Sequence, residues 1–224
     1  MERHHFEVDL QTLKNRLLNM GALVEERVHL AIHALIERRV DTAESVIAGD
    51  PEVNDLQIEI DDRCLKLLAL QNPMASDLRL ITAAMKINAD LERIGDQAVN
   101  IAENAIKILA QPPLRPLLDI PRMAEITQKM TRDSLDAFVR KDAALARDVL
   151  RRDDEVDQLK DQVFRVLLTH MMADPGTIER ALSLILVSRN IERIADHATN
   201  IAEDVIFVVE AKDVRHHHEE RKIS

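Results

Sequence analysis

The stretch ERIGDQAVNIAENAI, from Glu92 to Ile106, returns 100 residues later as ERIADHATNIAEDVI, from Glu192 to Ile206, with ten of fifteen aligned positions identical. A repeat of that fidelity means that the chain is built from two copies of one unit. At about 100° per residue, Leu91, Ile94, Ala98, Ile101, Ala102 and Ala105 gather on one side of a helix, as a packing face must. Glu92, Asp96, Asn100 and Glu103 form an oxygen-rich stripe away from that face, and Glu192, Asp196, Asn200 and Glu203 repeat it. Packing requires the first set and leaves the second unexplained.

Outward from the repeat, the chain reads as all-α. Among 224 residues there are only 4 Gly, no Trp and no Tyr, and aromatic residues make up 2% of the total, so the core must be Leu, Ile, Val, Ala and Met. Those are mostly strong helix formers. Leu10, Leu13, Leu17, Met20, Val24, Val28, Ala31 and Leu35 recur every three or four residues, which predicts one amphipathic helix over about 6–39. Further helices are expected over 41–48, 51–70 and 75–109, punctuated by Gly49-Asp50-Pro51 and by Asn72-Pro73. The second half predicts helices over 122–140, 142–150, 155–173 and 175–212, with Asp174-Pro175-Gly176 marking the last break. The organisation is thus two tandem, pseudo-symmetric three-helix bundles, each with one extra short helix: 1–111 and 122–213, joined by a Pro-rich linker at 112–121 and followed by a tail at 214–224.

Composition excludes several functions. The formal net charge of -10 repels nucleic acid and anionic lipid, and the absent Tyr and Trp remove base-stacking platforms; the four Phe read as core residues. No apolar run is long enough to span a membrane. The single Cys64 and the charged N-terminus suit a cytoplasmic protein without a secretory signal.

Like charges four residues apart on a helix are unfavourable by about 0.2–0.5 kcal/mol, yet both copies keep a Glu-x-x-x-Asp pair, Glu92/Asp96 and Glu192/Asp196. A bound cation would remove that repulsion. The preceding helix carries a matching element, Asp153/Asp157 in the second half and Asp50/Asn54 in the first. If the two helices face each other, four side-chain oxygen donors converge in each bundle. Such donors without Cys suit Mg²⁺, Mn²⁺ or Fe³⁺ better than Zn²⁺. The first set is one carboxylate weaker, at Asn54.

Enzymatic readings fare worse. A surface stripe offers no dry pocket for a general acid or base. A di-iron oxidase needs two Glu-x-x-His elements, and only Glu26-x-x-His29 occurs. His29 and His33 share the polar side of the first helix and read as plain surface. His197 stands where the first copy has Gln97, so it is not expected to serve both sites. His216-His217-His218 are adjacent and point in different directions on any helix.

Several motifs resemble the PhoU family of accessory and regulatory proteins of bacterial phosphate transport. They are ERIGD and ERIAD with their Asn-Ile continuations, GDPEVN from Gly49 to Asn54 followed by Ile60-Asp61, QNPMASDLRLI from Gln71 to Ile81, and Asp213-Val214-Arg215-His216. The resemblance implies two three-helix bundles and a non-enzymatic negative regulator of phosphate uptake and of the phosphate-starvation response. It implies contacts with the ATPase of a phosphate ABC transporter and with a membrane sensor histidine kinase; the large surfaces of two amphipathic bundles lead us to expect a homodimer as well. The resemblance also implies metal clusters at E(D)xxxD motifs, which fall on Glu92/Asp96, Glu192/Asp196, Asp153/Asp157 and, with Asn replacing the second acid, Asp50/Asn54. The alternative is a helical scaffold whose acidic stripes are solvated or face a basic partner.

Overall fold

The computed structural model describes residues 2–71, 73–114 and 119–214. Asn72, residues 115–118 of the expected linker, and residues 215–224 of the expected tail with its three His lie outside them. Seven α-helices form: α1 (Glu2–Glu37), α2 (Val40–Ala48), α3 (Asp50–Gln71), α4 (Ala75–Leu109), α5 (Ile120–Arg140), α6 (Ala143–Ala173) and α7 (Ile178–Glu210), with a 3₁₀ turn at Pro175–Thr177 before the last. No strand occurs among the described residues, and no helix there is long and apolar enough to cross a membrane.

α1, α3 and α4 make one bundle, with α2 against α1 and α4; α5, α6 and α7 make the other. The bundles meet along two seams, α4 on α7 and α1 on α5. The apolar stripe of α1 packs as its spacing dictates, with Leu13, Leu17, Met20, Val24, Val28, Ala31 and Leu35 all buried. The apolar face of the repeat is buried in both copies, and core residues of the two halves join in one continuous cluster. Each fully buried Ile or Leu in that cluster contributes about 1.5–3 kcal/mol. Gly21 leaves room for Leu135 of α5, whose Cδ1 a Cβ there would overlap.

The duplication extends to backbone detail. Arg38 and Lys141, which are equivalent at an offset of 103, both adopt left-handed conformations at φ 56°. Arg38 also donates to the carbonyls of Leu109 and Gln111 at 2.9 and 2.8 Å, satisfying the end of α4.

Two expectations are corrected. The short helix and its successor are separate only in the first repeat, where Pro51 has no N–H to donate and Gly49 precedes it. Arg151-Arg152-Asp153-Asp154 contains neither residue, so 142–150 and 155–173 merge into the single helix α6. It is capped by Asp142, whose Oδ1 accepts from the amides of Ala144 and Leu145 at 3.0 and 2.9 Å. The four Phe are not all core: Phe138 is fully buried, Phe6 packs against the core at its edge, Phe207 lies half-buried beneath Lys86, and Phe164 is 48% exposed on the outer side of α6.

Candidate metal centre

Two acidic clusters stand at equivalent places, one between α3 and α4 and one between α6 and α7. Small residues inside the repeated motif let the helices approach. A Cβ on Gly95 would meet Val53 Cγ1 at 3.2 Å, and Ala195 takes the same position in the second copy. Val53 and Val156 are buried and lie between Asp50 and Asn54 and between Asp153 and Asp157 in sequence, so α3 and α6 turn those side chains toward the motif carboxylates.

Electrostatics report the resulting proximity. In the first cluster, partial burial pushes the Glu92 carboxyl up, with Asp96 and Asp50 adding to the rise and Arg93 opposing it. Asp96 is raised by desolvation on burial and then by Asp50. In the second, burial is again the first cause, and Asp196, Asp157, Asp154 and Glu192 together push Asp153 up to about 6. Asp196 is raised by burial, then by Glu192 and Asp157, against the pull of His197 and Lys160. Cross-helix coupling of carboxylates is therefore present in both repeats.

The donor atoms are not gathered on a point. Among the described residues no group of three or more His, Cys, Asp or Glu side chains is arranged to hold a metal ion. Protein partners take several of the oxygens instead. Asn54 Nδ2 donates to Asp50 Oδ2 at 2.8 Å. Lys160 Nζ donates to Asp157 Oδ1 at 2.8 Å and to Glu192 Oε1 at 3.1 Å, bridging α6 and α7. Hydrogen bonding to Asp157 pushes the Lys160 pKa upward, so the ammonium stays charged. The oxygen-only donor sets fit a hard cation, with exposed carboxyls such as Asp96 and Asp196 free to turn about χ1 and χ2.

Sequence reasoning missed Lys160, whose counterpart at the same offset is Gln57. The Asp157-x-x-Lys160 spacing was its only sequence signal. It also missed a pair across the α4–α7 seam: His197 Nδ1 lies 2.9 Å from Asp90 Oδ1, and Asn200 Nδ2 donates to the same oxygen at 3.3 Å. His29 and His33 are exposed as expected, their ring centres 5.9 Å apart.

The PhoU domain matches residues 17–105 and 120–205. A phosphate-specific transport system accessory protein PhoU homolog of Aquifex aeolicus is 43% identical over 214 residues, covering 96% of this chain and 97% of the relative. The crystal structure of PhoU from Pseudomonas aeruginosa superposes with a TM-score of 0.89 at 40% identity, over 92% of this chain and 100% of that one. The phosphate transport system regulatory protein PhoU from Streptococcus pneumoniae gives a TM-score of 0.86 at 28% identity, over 93% and 99%. The chain belongs to the PhoU family, and its architecture is that family's tandem repeat.

Proposed function

We propose that this protein is a metal-binding regulatory adaptor of phosphate homeostasis. In this reading it works in the cytoplasm, without catalysis, and restrains phosphate uptake and the starvation response through contacts with the ATPase of a phosphate ABC transporter and with a membrane sensor histidine kinase. A homodimer would present two such surfaces. Kinship supports the regulatory part: relatives are named as accessory or regulatory proteins of phosphate transport.

The observation that carries the metal part is the coupling of carboxylates across facing helices at equivalent places in both repeats. Asp50, Glu92 and Asp96, with the amide oxygen of Asn54, would hold a cation in the first cluster. Asp153, Asp157, Glu192 and Asp196 would hold one in the second. A bound Mg²⁺, Mn²⁺ or Fe³⁺ supplies positive charge that removes the repulsion and ties α3 to α4 and α6 to α7, while Zn²⁺ suits oxygen-only donors less well.

Metal content of protein purified without chelator tests the site, together with the melting temperature of wild type and of Glu192→Ala/Asp196→Ala with added Mn²⁺ or Mg²⁺. Bound metal and a metal-dependent rise confined to wild type are expected. Metal-free protein with identical melting of the two would leave the solvated-scaffold reading. The regulatory part is tested by deleting the gene, which should derepress starvation genes at high phosphate, and by co-purification with the transporter ATPase and the kinase.

A further inference from the structure

The seam between α4 and α7 holds a second polar feature, which adjoins the acidic clusters and shares Asp196 with the second of them. Equivalent residues of the two motifs meet there: Arg93 with Arg193, and Gln97 with His197. They line an open groove of about 540 Å³ together with Asp196 and Asn200. We propose that this groove binds a phosphate-type oxyanion between the guanidinium groups of Arg93 and Arg193.

The polar groups of the groove divide into committed and uncommitted sets. His197 and Asn200 are held by Asp90. Where the groove continues along the seam, Lys86 closes a salt bridge of 2.8 Å with Asp204, and Glu203 is also engaged. Arg93 and Arg193, both exposed, donate no hydrogen bond and close no salt bridge among the described residues, though Arg93 pulls on Glu92 through space. Gln97 is only 9% exposed, its Oε1 is buried without a donor, and its amide makes no hydrogen bond there either.

Two guanidinium forks facing one space match an oxyanion with several acceptor oxygens. The chain's net charge of -10 does not decide the matter at this range, because charges beyond about 8–10 Å are screened at ordinary ionic strength. Lining the groove, two arginines stand against Asp196, with Asp90 beside it holding His197 and Asn200. The two forks suit a tetrahedral oxyanion such as phosphate, free or as a monoester. The groove exists only because the two repeats are fused face to face, each supplying one arginine.

Calorimetric titration of the full chain, stripped by chelator, tests this without involving bound metal; metal content measured separately bears on the acidic clusters alone. Inorganic phosphate and phosphoserine are titrated in parallel at matched ionic strength. Arg93→Gln and Arg193→Gln are each expected to weaken phosphate by about tenfold or more, and the pair to abolish it, with melting temperatures in anion-free buffer unchanged. Tighter binding of phosphoserine than of inorganic phosphate would identify a phosphorylated molecule as the ligand, and the reverse would identify the free ion. Failure of both phosphates to bind, or equal binding by the double variant, would overturn the proposal.

Discussion

Asp153 makes the acidic clusters measurable without any metal. Burial, then Asp196, Asp157, Asp154 and Glu192, raise its pKa from 3.8 to about 6. The native chain thus holds that proton more tightly than the unfolded chain, so stability falls as pH rises from about 3.8 to about 6, and the full penalty applies above that. A shift of about two units corresponds to about 3 kcal/mol at most. The side chain is half-exposed and solvent screens it, which brings the expected penalty to about 1–1.5 kcal/mol. Asp153→Asn keeps the shape and removes the charge. In chelator at low ionic strength it should raise the melting temperature by about 2–5 °C at pH 7.5 and leave it unchanged at pH 3.5. Thermal denaturation across that range reads both values. With Mn²⁺ added at pH 7.5 the order should narrow or reverse, because on the proposed role a bound cation would stabilise wild type through a ligand that the variant has lost. A gain that persists at pH 3.5, or none at pH 7.5, would refute the electrostatic account and leave Asp153 an ordinary surface acid.

Lys160→Gln should act in the opposite sense. Without metal at neutral pH it leaves Asp157 and Glu192 unpaired and should destabilise by about 1 kcal/mol, while calorimetry should show tighter divalent-cation binding because a competing ammonium has gone. Weaker binding would mean that Lys160 positions the carboxylates rather than competing for them. Lys141→Gly removes a left-handed non-glycine residue that costs about 1 kcal/mol and a cation that, after burial, lowers the pKa of Lys14. After the added freedom of the unfolded chain is subtracted, a net gain of about 0.5 kcal/mol is expected in urea denaturation. Arg38→Gly, which also loses the hydrogen bonds to Leu109 and Gln111, should show no gain.

Elements whose ends are set by local chemistry were readable from the chain alone. The expected bounds of α4, 75–109, agree with the structure: Pro73 disfavours helix at the residue before it, and Pro112 follows the end of α4. The α2–α3 break was also legible, but aligning the halves carried that break into α6, where no Gly or Pro produces it. Alignment transfers position; only the residues present interrupt a hydrogen-bond ladder. The pairing of Asp153/Asp157 with Glu192/Asp196 followed from i, i+4 spacing and helix order. The His197–Asp90 contact could not, since it joins residues 107 apart across a seam that no periodicity encodes. Phe164 shows the same limit in reverse: its apolar character suggested burial, but the face of α6 that it occupies was decided by neighbouring helices.

Lys160 changes how the two clusters compare. Counting carboxylates made the second cluster the stronger, four against three, because Asn54 stands opposite Asp157. The structure places an ammonium in that second cluster, at the position where the first has neutral Gln57. Three uncompensated negative charges therefore remain in each, and an approaching cation meets similar long-range attraction at both. At contact they differ. The first cluster offers fewer charged ligands with nothing to displace, whereas the second offers more but already holds a tethered cation whose effective concentration is about millimolar or above. On the proposed metal-binding role, the substitutions at 54/157 and 57/160 would offset each other in charge while separating the two clusters in selectivity: a cation with a strong demand for anionic oxygens would displace Lys160, and one that coordinates amide oxygen readily would settle first beside Asn54.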